Sequence, residues 1–257
     1  MNRLDKLFRT KKKNILSIYF TAGYPSLESV EEIILQLEKN GADMIEIGIP
    51  YSDPLADGPV IQESSRIAID NGMTLNKLFL QLEGIRKKTQ IPLLLMGYIN
   101  PVIQFGFERF CRTVSEKGID GIIIPDLPVQ EYFKNYSEAA ESNNLKNIFL
   151  VTPDTSSSRI REIDGLSTGF IYLVSSSSIT GKTGSFGDEH LEYFKRISEM
   201  KLKNPVMAGF GIHDHKTLTQ VFSFGFGAII GSAYMRAISG NKSLVNMTAK
   251  FFESINI

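Results

Sequence analysis

Short apolar runs alternate with amphipathic helical stretches along this chain, and this alternation constrains the fold more than any other feature. Strands separated by helices form parallel sheets, and eight such units over about 250 residues are typical of a (β/α)8 barrel. A doubly wound open sheet is the alternative, because periodicity does not show whether the sheet closes. The runs predicted as strands are residues 15–20, 44–49, 91–96, 121–124, 147–151, 170–174, 205–208 and 228–230.

The stretches between these runs carry apolar residues at helical spacing. Ser26 is predicted to cap the first of them, which places Val30 and Leu37 on one apolar stripe. Gly41, Gly118 and Gly225 each lie between a helical stretch and the next strand, where helices commonly end. The other predicted helices are residues 74–88, 107–117, 131–142, 159–164, 189–201, 216–224 and 244–255.

The chain contains no linker or low-complexity tract, so residues 1–257 are predicted to form a single barrel domain. Residues 1–13 carry Leu4, Leu7 and Phe8 at helical spacing, which predicts an extra N-terminal helix, and long loops are expected after strands two and six. No apolar run is long enough to span a bilayer. A cytoplasmic protein is the resulting expectation.

Charge and cysteine content exclude several functions. Lys plus Arg equals Asp plus Glu at 28 each, so net charge does not favour nucleic acid or an acidic membrane as a partner. The single cysteine, Cys111, can form neither an intramolecular disulfide nor a thiolate metal cluster. The Gly-x-Gly-x-x-Gly and Walker nucleotide-binding signatures are absent from the sequence.

Glu46 is the first candidate for chemistry. Side chains alternate along a strand, so Ile45, Ile47 and Ile49 share one face of their strand and Glu46 lies on the other. If the isoleucines pack under helices, Glu46 points into the barrel, where loss of water raises the pKa of a carboxyl group. A general acid/base needs such an environment. The alternative is a structural Glu46 paired with a buried Arg or Lys.

The loop after this strand carries two acids, Asp53 and Asp57, among turn-forming residues. Asp-Pro and Asp-Gly pairs belong to ordinary turns in most proteins. Alternatively, a loop at the catalytic face of a barrel supplies a second carboxylate that works with Glu46. The residues alone leave both interpretations open.

Glycine-rich stretches follow the last three predicted strands, at residues 180–184, 209–211 and 231–232. Barrels often bind phosphate with the loops after strands seven and eight, where glycines let backbone N–H groups approach an anion. Their shared position therefore predicts a phosphate site. His213 and His215 flank Asp214 and raise the alternative of a metal pair, but Asp214 at a helix start indicates a cap.

These segments resemble the tryptophan synthase α-subunit family from near the start of the chain to its end. The most specific match is residues 46–62, EIGIPYSDPLADGPVIQ, which follow the family signature almost residue for residue. Shorter matches lie in the family's order at residues 20–25, 98–101, 125–128, 179–181 and 209–212.

The resemblance implies a retro-aldol cleavage of indole-3-glycerol phosphate into indole and glyceraldehyde 3-phosphate. It also implies an α2β2 complex in which indole passes to the β subunit, with pyridoxal phosphate in that subunit and no cofactor or metal in this chain. Residues 53–54 and the segment around 100–101 are expected to contact the β subunit. The site itself lies at the positions that match the family's motifs.

In that resemblance Glu46 is the acid/base, and Asp57 hydrogen-bonds the indole N–H as positive charge develops. Phosphate is expected on N–H groups of Gly181, Gly211, Gly231 and Ser232. Thr180 is expected to meet Asp57 when the loop after strand six closes. The residues matching the indole pocket are Tyr19, Met96, Tyr98, Ile123, Leu150, Tyr172 and Phe210.

The sequence departs from some family members in two places. Residues 175–178 read Ser-Ser-Ser-Ser where those members carry an Arg and a Gly. We expect this difference to affect closure of the loop after strand six and signalling between subunits, and not the residues that carry the chemistry. Tyr24 replaces an acid, to which we attach no functional meaning. A poorly active subunit that binds and activates the β chain is therefore an alternative function. A phosphate-binding barrel isomerase is a third, but it does not explain residues 46–62.

Overall fold

A computed structural model of the chain describes residues 1–174, 186–240 and 243–256. Its eight strands pair in parallel, each with the next along the chain, and pairing of the first with the last closes the barrel. The predicted barrel is therefore confirmed and the open sheet is excluded. The strands are β1 Leu16–Thr21, β2 Met44–Gly48, β3 Leu93–Met96, β4 Gly121–Ile123, β5 Lys146–Val151, β6 Ile171–Val174, β7 Val206–Gly209 and β8 Gly227–Ile230.

Helices surround this barrel, and none of the described helices has the length and apolar character that a membrane crossing requires. A 3-10 turn, Ile85–Lys87, lies before β3. The α-helices are α1 Arg3–Thr10, α2 Val30–Asn40, α3 Pro59–Asp70, α4 Leu75–Gln81, α5 Ile99–Phe105, α6 Phe107–Glu116, α7 Val129–Asn135, α8 Ser137–Ser142, α9 Ser157–Leu166, α10 Asp188–Glu199, α11 His215–Ser223, α12 Ser232–Ala237 and α13 Leu244–Ile255.

Three helical predictions were wrong in detail. The cap of α2 is Ser29 rather than Ser26, because residues 26–29 form a turn in which the Ser26 carbonyl accepts from Ser29. The predicted helix 74–88 stops early, and Gly84 takes a left-handed φ of 72° before the 3-10 turn. The predicted helix 131–142 breaks at Tyr136, whose φ of −131° leaves the helical region.

Three helices were missed, and all follow strands whose loops carry site residues. They are α3, α5 and α12. Helix α3 begins with Pro59, and α5 contains an Asn-Pro pair, so both starts resemble loops in sequence. By contrast, the three predicted helix-ending glycines all adopt the left-handed conformation, with φ between 80° and 107°.

The core has two layers separated by the barrel wall. Outward-facing strand residues, Ile45 and Ile47 among them, pack under the helices, whereas Met44 and Leu94 belong to a separate cluster inside the barrel. Helix α1 covers the inner cluster at the end where the strands begin, with Leu4 fully buried. The opposite end, where the strands finish, is left for a cavity.

Candidate active site

A cavity of about 460 Å³ lies at the carboxyl ends of the strands. This is the face at which barrel enzymes place their chemistry, and the volume suits a small ligand. The lining combines the starts of α3 and α12 with residues at or just beyond the ends of several strands. The lining residues are Tyr19, Asp57, Gly58, Pro59, Val60, Ile61, Met96, Tyr172, Phe210, Gly211, Ile212, His213, Ile229, Gly231, Ser232, Ala233 and Arg236.

Glu46 lies inside the barrel, as the alternation of β2 predicts, and is completely buried. Its neighbours on the adjacent strands are Tyr19 of β1 and Leu94 of β3. Oε1 of Glu46 accepts a hydrogen bond of 2.8 Å from the Ser17 hydroxyl. Burial raises the pKa of Glu46 from 4.5 to about 8, and the Ser17 hydrogen bond opposes this rise.

The alternative of a structural ion pair at Glu46 finds no support in the described part of the chain, where neither Lys nor Arg contacts this carboxyl group. Its polar contact is Ser17, and its second oxygen, Oε2, is buried without a hydrogen-bond partner among the described residues. A buried carboxyl group with a raised pKa is suited to carry and release a proton near neutral pH.

Asp57 lies in the loop between β2 and α3 and lines the cavity. Its Oδ2 accepts a hydrogen bond of 3.0 Å from the Tyr98 hydroxyl, whose oxygen also accepts from the Ala56 N–H at 3.0 Å. Partial burial raises the pKa of Asp57, and the Tyr98 hydrogen bond opposes that rise. Asp53 in the same loop is exposed and does not line the cavity, so the structure separates the two acids.

Two tyrosines, Tyr19 of β1 and Tyr172 of β6, line the cavity. Tyr19 packs against Gly48 and Tyr172 packs against Gly209, and a Cβ at either glycine would collide with the phenol hydroxyl. Burial raises the pKa of both phenols, and the nearby carboxylates Glu46 and Asp57 raise it further. Both rings are therefore neutral walls that lie near both carboxyl groups.

The loops after β7 and β8 meet at one side of the cavity. Phe210 and Gly211 both have a left-handed φ, 71° and 75°, which turns the chain sharply after β7. Gly231 precedes α12, which begins at Ser232. The first N–H groups of a helix have no acceptor within it, so this corner offers donors to an anion.

The remaining predicted site residues do not line the cavity or lie outside the described part of the chain. Tyr98 contacts Asp57 but is not part of the cavity lining, and Ile123 and Leu150 pack with the inner cluster of the barrel. Thr180 and Gly181 lie outside the described residues, as do residues 175–178. Their roles stay predictions from the resemblance.

His213, Asp214 and His215, for which a metal pair was the less favoured alternative, each make other contacts. Asp214 caps α11 by accepting from the Thr217 N–H, as the sequence predicts, and His213 Nδ1 lies 2.8 Å from the Gly211 carbonyl oxygen. His215 Nδ1 lies 3.1 Å from the Ile255 carbonyl oxygen. No group of three or more potential metal ligands occurs among residues 1–174, 186–240 and 243–256.

Sequence reasoning missed Ser17 and Arg236. The signal for Ser17 was available, because alternation along β1 places it on the same inner face as Tyr19. Arg236 lines the cavity four residues after Ser232, one helical turn along α12. That relationship was hidden because α12 itself was not predicted.

Comparison with known proteins gives consistent matches. A family model described as tryptophan synthase alpha chain matches residues 6–256. The tryptophan synthase alpha chain of Christiangramia forsetii is 56% identical over 241 residues, which cover 94% of each chain. That of Flavobacterium psychrophilum is 55% identical over 99% of this chain and 100% of its own. A chain in a crystal structure of the tryptophan synthase complex from Pyrococcus furiosus superposes with a TM-score of 0.86 at 33% identity, covering 95% of this chain and 98% of its own.

Proposed function

The chain belongs to the tryptophan synthase alpha chain family, which cleaves indole-3-glycerol phosphate to indole and glyceraldehyde 3-phosphate, and we propose that Glu46 and Asp57 catalyse this step. One observation carries the assignment: two carboxyl groups in contrasting environments lie near the same two cavity-lining tyrosines, Tyr19 and Tyr172. Glu46 is fully buried beside Ser17, and Asp57 lies at the cavity lining beside Tyr98. Carboxyl pairs in unlike surroundings commonly divide acid/base and electrostatic roles.

The reaction requires a proton at C3 of the indole ring and the loss of a proton from the side-chain hydroxyl group. Glu46, with a pKa of about 8, begins protonated at neutral pH and donates its proton to C3. The carboxylate then accepts the hydroxyl proton as the carbon–carbon bond breaks, and the bonding electrons return to the ring. The proton balance closes, and Glu46 regains its starting state.

Asp57 acts on the other part of the ring. Protonation at C3 makes the ring nitrogen positive, and an ionised carboxylate that accepts its N–H hydrogen bond stabilises that charge. Tyr98 holds Oδ2 of Asp57 through its hydroxyl, which leaves Oδ1 for the ligand. The aromatic and apolar wall formed by Tyr19, Met96 and Tyr172 suits the indole ring.

The phosphate is assigned to the corner formed by Gly211, Gly231 and Ser232, which line the cavity at the start of α12 and after β7. Arg236 adds a permanent positive charge to the same side of the cavity. No Asp or Glu of the described residues forms an ion pair with this guanidinium group, so its charge is available to a phosphate. The expected contribution of Gly181 and the closure through Thr180 stay predictions.

A β subunit is the expected partner, as in the tryptophan synthase complex, and pyridoxal phosphate is expected in that subunit. The predicted contact segments carry apolar side chains at the surface: Leu55 is 83% exposed and Ile103 is 50% exposed. Asn100 Nδ2 donates to the Tyr51 hydroxyl at 3.2 Å, which joins the two segments. Exposed apolar residues next to polar ones are typical of protein interfaces.

Release of glyceraldehyde 3-phosphate from indole-3-glycerol phosphate tests the function, measured with the purified chain alone and with a β subunit. Release that rises with the partner and is lost in Glu46→Gln supports an active, coupled lyase. A stable complex without release in either mixture would instead favour the binding and activating subunit. Near-normal turnover by Glu46→Gln would overturn the assignment of Glu46.

A further inference from the structure

The two oxygens of the Glu46 carboxyl group have unequal surroundings. Oε1 accepts the 2.8 Å hydrogen bond from Ser17, whereas Oε2 is buried and has no hydrogen-bond partner among the described residues. Ser17 and Glu46 are both completely buried. A buried hydrogen bond in low-dielectric surroundings holds its partners more firmly than one exposed to water.

Ser17 reaches Glu46 because the two inner faces of β1 and β2 adjoin. In the register of these strands, Ser17 pairs with Met44 and Tyr19 pairs with Glu46. The Glu46 side chain therefore has an apolar neighbour, Leu94, on the β3 side and a hydroxyl neighbour on the β1 side.

A serine hydroxyl group suits both states of a proton carrier. It donates to Oε1 of the ionised carboxylate, and it still donates to Oε1, then a carbonyl oxygen, when the proton lies on Oε2. Ser17 therefore leaves Oε1 satisfied whether or not Glu46 holds a proton.

We propose that Ser17 is a positioning residue for catalysis: it anchors Oε1 of Glu46, so that Oε2 is the oxygen that exchanges the proton with the substrate. This inference rests on the proposed function of Glu46. Because Glu46 has no exposed surface and does not line the cavity, the exchange requires a displacement of its side chain or of its β1 neighbour Tyr19, which does line the cavity. The Ser17 anchor limits how far the carboxyl group moves.

The titratable groups near Glu46 do not replace this hydrogen bond. Tyr19 of β1 and Tyr172 of β6 are neutral phenols, and Asp57 in the loop after β2 is a carboxyl group that supplies no positive charge. Ser17 is the group whose hydrogen bond lowers the pKa of Glu46 against the effect of burial. Its removal raises that pKa further.

Ser17→Ala tests the proposal through kcat, KM and their pH profiles, measured for cleavage of indole-3-glycerol phosphate. We expect kcat to fall about tenfold or more with little change in KM, because an acid/base group is misplaced while substrate contacts remain. In the pH profile, the fall in rate at high pH that we assign to Glu46 (its alkaline limb) should move to higher pH by about one unit. This is the shift expected for the loss of one hydrogen bond to a charged group. Ser17→Thr, which keeps the hydroxyl group, should recover much of kcat and restore the limb.

Ser167→Ala is the matched control, because Ser167 is also buried and its hydroxyl donates a 2.8 Å hydrogen bond, to the Ile163 carbonyl in α9. This variant should change neither kcat nor the pH profile. An unchanged profile in Ser17→Ala would overturn the proposal, as would equal loss of kcat in Ser17→Thr and Ser17→Ala.

If Ser17→Ala does not fold, Ser17→Cys retains a side chain of similar shape with a weaker donor. It should show the same shift of the limb, and an unshifted limb would overturn the proposal. Glu46→Gln separates the two hypotheses. An inactive Glu46→Gln together with an unaffected Ser17→Ala rejects only the role of Ser17, whereas an active Glu46→Gln rejects the function assigned to Glu46.

Discussion

The hydroxyl group of Tyr98, the residue before α5, donates a hydrogen bond of 3.0 Å to Oδ2 of Asp57, 41 residues earlier in the chain. The hydroxyl oxygen of Tyr98 also accepts a hydrogen bond from the Ala56 N–H. The single side chain of Tyr98 therefore fixes both the backbone and the carboxylate of the loop after β2. The Tyr98 ring also stacks on Tyr51, with centroids 5.1 Å apart. The position of the Asp57 carboxylate, which we propose to be catalytic, thus depends on the start of a different βα unit.

Tyr98→Phe should therefore reduce catalysis without changing the fold. It removes the hydrogen bond to Asp57 and the acceptor for Ala56, and we expect kcat/KM for the cleavage to fall about tenfold. Steady-state kinetics of the chain alone would measure this. Tyr193→Phe is the matched control, since it removes a buried hydroxyl donor to the Val151 carbonyl. A similar fall in both variants would contradict a specific role for Tyr98.

The pH dependence of activity should show the raised pKa of Glu46. The acid form begins the reaction, so kcat/KM should fall as pH rises through about 8. Initial rates of glyceraldehyde 3-phosphate release between pH 6 and pH 10 would give the profile, with about three points per pH unit to define the limb. A rate that keeps rising above pH 9 would exclude a protonated Glu46 as the starting form.

Stability should depend on pH for the same reason. Between pH 4.5 and about 8 the folded protein keeps a proton on Glu46 that the unfolded chain has lost, so the free energy of unfolding falls as pH rises through this range. Glu46→Gln has no titrating group at this position, so its free energy of unfolding lacks this pH-dependent fall. Its Tm relative to the natural chain should therefore increase from pH 5 to pH 8.

Thermal unfolding at several pH values would measure this difference. Glu253→Gln, which changes an exposed glutamate of α13, controls for the loss of one negative charge. A Tm difference that is constant with pH for Glu46→Gln would show that Glu46 titrates normally in the folded state.

Asp57→Asn should separate catalysis from phosphate binding. The amide oxygen of asparagine still accepts from Tyr98, but the charge that stabilises the ring nitrogen is lost, so kcat should fall about a hundredfold. The inhibition constant of glyceraldehyde 3-phosphate should stay within about twofold of its value in the natural chain, because the proposed phosphate corner belongs to the loops after β7 and β8 and does not include Asp57. Asp70→Asn on the exposed face of α3 serves as control. A parallel loss of product inhibition would place Asp57 in binding instead.

Arg236→Gln should weaken substrate binding. Loss of the positive charge beside the phosphate corner is expected to raise KM about tenfold, with kcat nearly unchanged, and Arg236→Lys should recover part of the loss. Inhibition by inorganic phosphate gives an independent measure of the same site. Arg112→Gln changes an exposed arginine on α6, where no residue lines the cavity. An unchanged KM in Arg236→Gln would remove this residue from the phosphate site.

Much of this protein follows from local patterns in its sequence. Alternation of apolar strands and amphipathic helices predicted the barrel, and the period of two along β2 placed Glu46 inside it. The start and end of α13 agree with the predicted range 244–255. These features depend on the order of apolar and polar residues within a short segment, and for that reason the periodicity of the sequence predicts them.

Only the tertiary structure decided which residues meet across elements. Pairing of β1 with β2 brings Ser17 to Glu46, and pairing of β2 with β3 brings together the loops that carry Asp57 and Tyr98. Short helices such as α12 owe their formation to packing more than to their own sequences, so the approach of Arg236 to the cavity had no local signal. The sequence by itself therefore determined the alternation of strands and helices and the face of each strand. Closure depends on the pairing of β1 with β8. The partners that tune the two carboxyl groups depend on contacts between residues 29 and 41 positions apart, which form only when neighbouring strands pair.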